Sequence, residues 1–482
     1  MRRTIGTSFD LALAFGGVTL PPDPTEFDRV LHKYTRLHME GKRDDAYRGY
    51  MKLLPHNPNH PFLLFALGTW FSEAGADAAL AIPLLMRSVE HSPEHPQAWS
   101  NLGAVFKAQQ SPENAIACLT EALKLDPENG PAYANLSGCY INEGCPGKCV
   151  PVALKGLEYD PESPQLHNHL ALAYLELGEW EKAWPHWAWR TRLPDWFRRE
   201  FPEGVMAPWD GSPTDTLVLS GEQGIGDEIM FTSCIPEIRG RVRRLVIECT
   251  ERLQPLFERT FDCVTYPSHQ DVLMHEHGIT AGIQMGSVPS LLYKSPYEVP
   301  GEAFLVANPE WRTAMRERLE AMGPPPYVGL AWRGGTTKTH GHVRQVDLRM
   351  LRDLKAAFEE GGATVVSVQY GPCGPEAASE GLVHWPDAVV DFDAHTALIA
   401  ECDLVVSVCQ TGVHQSGALG VPCWCLTPHQ VAWRYGCWGG ERMAWYKSVR
   451  LWRQTPEEAG QWAPVIGRMT QAVPGWLEEW RR

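Results

Sequence analysis

The chain has 482 residues, enough for two or three domains. Hydrophobic residues make up 44% and charged residues 21%, ordinary values for a globular protein in water, and no run nears the ~18 apolar residues of a membrane span. A formal net charge of −15 argues against nucleic acid or an anionic membrane as the main partner.

Residues 1–23 carry two arginines ahead of an apolar stretch that Asp10 interrupts. That stretch is too short for a signal peptide, so the segment reads as an N-terminal extension. Thirteen scattered cysteines suit the reduced thiols of a cytoplasmic protein better than a disulfide framework.

A period governs the next part. Asn57-Pro58, Ser92-Pro93, Asp126-Pro127 and Asp160-Pro161 recur every 34 or 35 residues. Leu67, Leu102, Leu136 and Leu170 keep the same spacing, each followed by a small residue: Gly68, Gly103, Ser137 and Ala171. Ala81, Ala115, Cys149 and Ala183 form a further column. Small residues let paired helices approach, and the proline ends the second helix of each pair. The pattern resembles the tetratricopeptide (TPR) repeat and predicts an array over 24–190, with a weaker first unit near Glu26. Such an array is a protein-binding surface. Asn101, Asn135 and His169 hold equivalent places on successive first helices. They could hydrogen-bond an extended peptide backbone, or bond within the stack or to water. Trp180, Trp184, Trp187 and Trp189 then read as a capping helix, and the proline-rich 191–215 as a linker.

From Thr216 strands and helices alternate. TLVLS leads through GEQGIGD into a helix near 227–238, and LVIEC leads into a helix at 251–259. After Gly323-Pro324-Pro325-Pro326 a second set follows. It comprises strand YVGLAW, helix 347–359, strand 364–368, helix 393–401, strand 403–408, helix 411–419 and strand 422–426. Alternation predicts parallel sheets in two Rossmann-like lobes, with ligands at the carboxyl ends of the strands. The glycine turn after TLVLS would suit a phosphate, yet Asp227 closes it with a carboxylate.

AWPHWAWR, LSGEQGIGDEIMF, VGLAWRGG, VRQVDL, VVSVCQTGVHQSGALGVPCWCL, WRYG and AWYKSVRLWRQ stand in one order over nearly the whole chain. Together they resemble TPR-containing glycosyltransferases of the heptosyltransferase-like family 9, and bacterial flagellin or protein O-glycosyltransferases. The resemblance implies an α+α/β chain. An all-α TPR solenoid precedes a GT-B transferase with an acceptor lobe at 216–322, a nucleotide-sugar lobe at 323–453 and a C-terminal helix at 454–482. It implies inverting, metal-independent transfer of a sugar to Ser or Thr of an acceptor protein held by the repeats, with flagellin the acceptor in a flagellated bacterium. No cofactor is implied beyond the co-substrate, an ADP-, UDP- or CMP-linked sugar. Transfer to lipopolysaccharide or another glycan, and a TPR scaffold with an inactive transferase domain, are the alternatives.

On these residues Asp227 matches the family's base, with a helix cap as its plain alternative. Glu222, Gln223, Gly224 and Gly226 form the acceptor-side loop, their glycines read as clearance for the sugars. Arg333, Gly334, Gly335, Thr336, Lys338 and Arg344 would meet the donor phosphates, or form a solvated basic loop. Thr411, Gly412 and His414 open a helix whose free N–H groups suit phosphate, with Thr411 as its cap and His414 as a donor or an internal hydrogen-bonding group. Gln410 stands where the family usually has aspartate, which puts the usual donor identity in doubt. Trp433, Arg434, Trp445 and Tyr446 would stack on a base, close the cleft or pack a core. Cys423 and Cys425 on one strand point to opposite faces, a poor geometry for zinc.

Overall fold

The computed structural model describes residues 26–73, 78–194, 206–335, 341–436 and 440–482. The expected N-terminal extension and the middle of the expected linker lie outside the described residues. The chain divides into two compact units, Met1–Tyr174 with Pro185–Trp196, and Leu175–Trp184 with Phe197–Arg482.

The first unit is a helical solenoid. Its successive pairs are Glu26–Met39 with Arg43–Leu53, Pro61–Glu73 with Ala78–His91, Pro96–Ala108 with Pro112–Leu125, and Gly130–Asn142 with Pro146–Tyr159. Pro96, Pro112 and Pro146 stand in first turns, where a missing N–H costs nothing. His95 Nδ1 accepts from Ala98 N at 3.1 Å, and Asn129 Oδ1 accepts from Ala132 N at 3.0 Å, each capping a helix. A Cβ on Gly68 would lie 2.7 Å from Leu85 Cγ, and one on Gly103 would lie 2.6 Å from Leu119 Cγ. The small-residue column is therefore where the two helices of a pair touch.

The second unit holds two largely parallel sheets. In the first, β1 (Ala207–Pro208), β2 (Thr214–Ser220), β3 (Val242–Glu248), β4 (Val264–Tyr266) and β5 (Ala281–Gln284) run in the order β1-β5-β2-β3-β4. β1 lies within the stretch expected as linker, and it pairs with β5 through Ala207 and Ala281. In the second sheet, β6 (Tyr327–Ala331), β7 (Thr364–Ser367), β8 (Leu404–Val408), β9 (Cys423–Thr427), β10 (Arg442–Met443) and β11 (Tyr446–Arg453) run in the order β10-β11-β9-β8-β6-β7. Among the described strands only the β10–β11 pairing is antiparallel. Each sheet reverses its winding once, between β2 and β5 in the first and between β6 and β8 in the second. Ligands of α/β sheets bind outside the carboxyl ends of strands at such switch points. The loops that leave β2, β6 and β8 are the glycine turn, the Arg333 loop and Cys409-Gln410.

The second sheet is sealed by the helix Ala463–Arg481. Its Val465, Met469, Val473 and Leu477 share a buried cluster with Leu330, Trp332, Val406 and Leu426. Close packing also explains Gly417 in the helix Thr411–Leu419. Its Cβ would lie 2.2 Å from Cγ of the fully buried Tyr446 ring. Gly417→Ala is expected to cost about 1–3 kcal/mol, because overpacking outweighs the gain of under ~1 kcal/mol in helix propensity. A urea midpoint equal to the parent's would contradict this. Among the described residues no helix is long and apolar enough to cross a membrane.

Candidate functional site

The glycine turn after β2 is built for a sharp change of direction. Gln223 is exposed and adopts φ +65°, and Gly224 then turns extended to start the helix Ile225–Thr232. Gly224, not Asp227, is the N-cap. Asp227 N donates to Gly224 O at 2.8 Å, while Asp227 Oδ2 accepts from Gly224 N at 3.3 Å. Asp227 thus holds the third helical position and closes a capping box with one carboxylate oxygen. The other oxygen, Oδ1, lies against Arg434 Nη2, in an ion pair whose side chains are 15% and 16% exposed.

The rest of the turn departs from its expected role. Glu222 points inward, is 4% exposed, and its Oε1 accepts from Gly286 N at 2.6 Å. It ties the turn to the segment after β5 instead of facing an acceptor, because a buried carboxylate must find N–H donors. Gly226 gives clearance, but to protein. Its Cβ would lie 3.0 Å from His414 Cδ2 and 3.6 Å from Thr411 Cα, so the missing side chain admits the first turn of the helix Thr411–Leu419. Glu228 is a residue that the motif alone does not single out. It is 1% exposed and accepts from Thr250 N at 2.9 Å, which ties the helix to the exit of β3. An acidic residue leading into the apolar run Ile229–Phe231 was the available signal.

Across from the turn, the residues expected to bind a donor gather at the ends of β6 and β8, which are hydrogen-bonded neighbours. A Cβ on Gly334 would lie 2.9 Å from Cys409 O, so glycine is needed for the Arg333 loop to run along Cys409-Gln410. Gly335 adopts φ +78°. Arg344 Nη1 donates to Cys409 O at 3.3 Å. Arg333 instead turns to Glu376 Oε2 at 3.0 Å, so its charge is met within the unit. Thr336 and Lys338 lie outside the described residues.

Gln410 is the N-cap of the helix Thr411–Leu419, and its Nε2 donates back to Ser407 Oγ at 3.1 Å. Thr411, expected as the cap, is the first helical residue, because Gln410 still has extended backbone. Gly412 is buried behind it. His414 is also buried, with Nδ1 3.3 Å from Tyr446 Oη. Burial, with the nearby Arg434 charge adding to it, pushes the imidazole down to about 3. It is therefore a neutral packing and hydrogen-bonding group rather than a cationic phosphate ligand.

The aromatics beside Arg434 pack a core. Trp433 is 4% exposed, with its ring centroid 6.1 Å from that of Trp445. Trp445 in turn stacks on Trp180 at 5.5 Å and 28°. Trp184 Nε1 donates to Tyr293 O at 2.6 Å. Among the described residues no group of three or more His, Cys, Asp or Glu side chains is placed to hold a metal. A cleft of about 770 Å³ lined by Arg316, Tyr327, Glu401 and Asp403 sits where the chain enters β6 and β8. That is the amino edge of the sheet, away from the switch points.

In the first unit the expected ladder bonds along the stack. Asn101 Nδ2 donates to Thr69 Oγ1 at 2.8 Å, and Asn135 Oδ1 accepts from Lys107 Nζ at 3.2 Å. His169 Nδ1 lies 2.9 Å from Ser137 Oγ. Each reaches the preceding first helix, so at least one polar group per side chain is already engaged.

The tetratricopeptide repeat family matches residues 96–129. Protein FlbA of Caulobacter vibrioides is 30% identical over 281 residues, which cover 53% of this chain and 46% of that protein. The chain thus spans less than half the length of the curated relative it matches. A crystal structure of MamA is 24% identical, covering 33% of this chain and 92% of its own, with a TM-score of 0.31. A thermophilic TPR protein in Thermus thermophilus is 19% identical, covering 35% and 91%, with a TM-score of 0.29. The chain is a TPR-containing protein, and TPR repeats serve protein–protein interaction.

Proposed function

We propose that the second unit is a GT-B glycosyltransferase that moves a sugar, with inversion, from a nucleotide sugar to a Ser or Thr hydroxyl of a protein recruited by the repeats. One observation carries this reading. A carboxylate at the switch point of one sheet stands beside a helix start at the switch point of the other and a guanidinium from the turn after β9. In the reaction the hydroxyl oxygen bonds to the anomeric carbon as its bond to the phosphate oxygen breaks. The electron pair leaves on the nucleotide and the hydroxyl proton passes to Asp227. Arg344, Gly334, Gly335, Thr336, Lys338 and the helix start at Gln410-Thr411-Gly412 would hold the nucleotide phosphates.

The test is incubation with ADP-, UDP- and CMP-linked sugars and a panel of acceptors including flagellin and lipopolysaccharide core. A mass gain of one sugar on protein, with nucleotide released, is expected. A gain on the glycan alone would move the protein to the lipopolysaccharide class. No gain and no donor hydrolysis across the panel would sink the enzyme reading. A scaffold with an inactive transferase domain is the second reading. It is favoured by Gln410 and Arg333, both turned to partners within the unit.

Recruitment has its own expected result. Lys107→Ala combined with Asn135→Ala should raise KM for the protein acceptor about fivefold or more, since each hydrogen-bonding group is worth roughly 1 kcal/mol. Donor hydrolysis without acceptor should not change. An unchanged KM would remove these residues from acceptor binding.

A further inference from the structure

We infer that Arg434 is shared between Asp227 and the donor phosphate, so that the free enzyme keeps its base blocked and donor binding unblocks it. This rests on the reading of the second unit as a nucleotide-sugar transferase, and it adds a residue and an order of events to that reading.

The ion pair is poorly satisfied. Asp227 Oδ1 and Arg434 Nε are both buried atoms, and neither has a hydrogen-bond partner among the described residues. The guanidinium meets the carboxylate by charge and proximity, without the fork geometry that makes such pairs strong. Arg434 lies in the turn Trp433–Tyr435, anchored by the packed Trp433 ring and by Arg453 Nη2 donating to Tyr435 O at 2.5 Å. Its backbone is therefore held while its side chain has a donor to spare.

The positive ends of two helices border the pair. Arg434 stands near the first turn of the helix Thr411–Leu419, whose N–H groups repel a cation. The start of the helix Ile225–Thr232 abuts the same turn through Gly226. Arg344 reaches Cys409 O beside it. His414 and Tyr446, which also face the pair, do not change this balance at neutral pH. Burial holds the His414 imidazole neutral, and burial with the Asp227 charge keeps the Tyr446 phenol protonated. The Asp227 carboxylate thus faces the Arg434 guanidinium and two helix starts. A phosphate carries more charge and more acceptor oxygens than Asp227, so it would take the guanidinium. Asp227 would then keep only its bond to Gly224 N and be free to accept the acceptor's proton. The same exchange requires donor before acceptor.

The full chain tests this by calorimetric titration with inorganic pyrophosphate, ADP, UDP and CMP. Arg434→Ala should weaken binding of the best probe about tenfold, and Arg434→Lys should weaken it less. Asp227→Asn should tighten it about fivefold, because no ion pair must first be broken. Combined with Arg434→Ala, Asp227→Asn should give no tightening. Tightening that persists in the double variant would be simple relief of charge repulsion and would overturn the proposal. So would unchanged or weaker binding by Asp227→Asn, while leaving the transferase reading intact. If no probe binds the parent or Asp227→Asn, the transferase reading fails and the proposal with it. Equal thermal midpoints for Arg434→Lys and the parent exclude misfolding as the cause.

Discussion

Asp227→Asn is expected to lower sugar transfer by about 10²–10⁴-fold, the usual worth of a general base, while the second unit stays folded. The asparagine carbonyl can still accept from Gly224 N, so the turn after β2 keeps its closing bond. The side chain keeps its volume. What goes is the negative charge, and with it the proton acceptor and the partner of Arg434. Losing the charge costs about 0.3–1 kcal/mol at the helix start and up to about 3–5 kcal/mol for leaving the Arg434 guanidinium without its carboxylate, still less than the ~5–15 kcal/mol stability of a domain. Transfer rate and folding should therefore separate: a collapsed rate in a unit that still unfolds cooperatively, at a lowered midpoint. Near-parental turnover would leave Asp227 a capping-box residue and nothing more. Asp227→Ala is the informative contrast, because it removes the bond to Gly224 as well and should lose both properties.

Trp445→Ala is expected to cost about 3–5 kcal/mol, the range for emptying a large aromatic site in a core. The ring is fully buried, stacked on Trp180 and edge-on to Phe231 at 6.3 Å and 88°. Its Nε1 has no hydrogen-bond partner among the described residues, so the loss is one of packing rather than of a bond. Several elements line the resulting hole, and they cannot collapse together. Trp433 would lose its neighbour too, and Arg434 follows it in the chain. Transfer should thus fall alongside stability. Because the chain has two units, denaturation need not be two-state, and the effect belongs to the transition that reports the second unit. A shift below ~1 kcal/mol there would show that the site repacks.

Much of the architecture was readable from local pattern. The repeat columns recur because every helix pair faces the same packing problem, and Gly68 and Gly103 touch Leu85 and Leu119 as a small-residue column requires. The helix Thr411–Leu419 matches its expected bounds because a strand, a turn and the left-handed Gly420 mark both ends. β1, β4 and β5 were not readable. They have two, three and four residues, and pairing partners rather than propensity make them strands. AWYKSVRLWRQ carries a motif but no clear strand signal, and β11 forms there between β9 and the short β10.

The candidate site divides along the same line. By itself the sequence determined which chemical groups are present and which turns carry them: a carboxylate after a glycine turn, a glycine-rich loop with arginines, and a helix opening on Gln410-Thr411. Those are properties of neighbouring residues. Only the tertiary structure decided that Asp227 meets Arg434, that Glu222 turns inward, that Gly226 makes room for His414 and that His414 is buried and neutral. Each depends on what approaches from a distant part of the chain. Charge pairing and desolvation are set by distance in space, which local sequence does not encode.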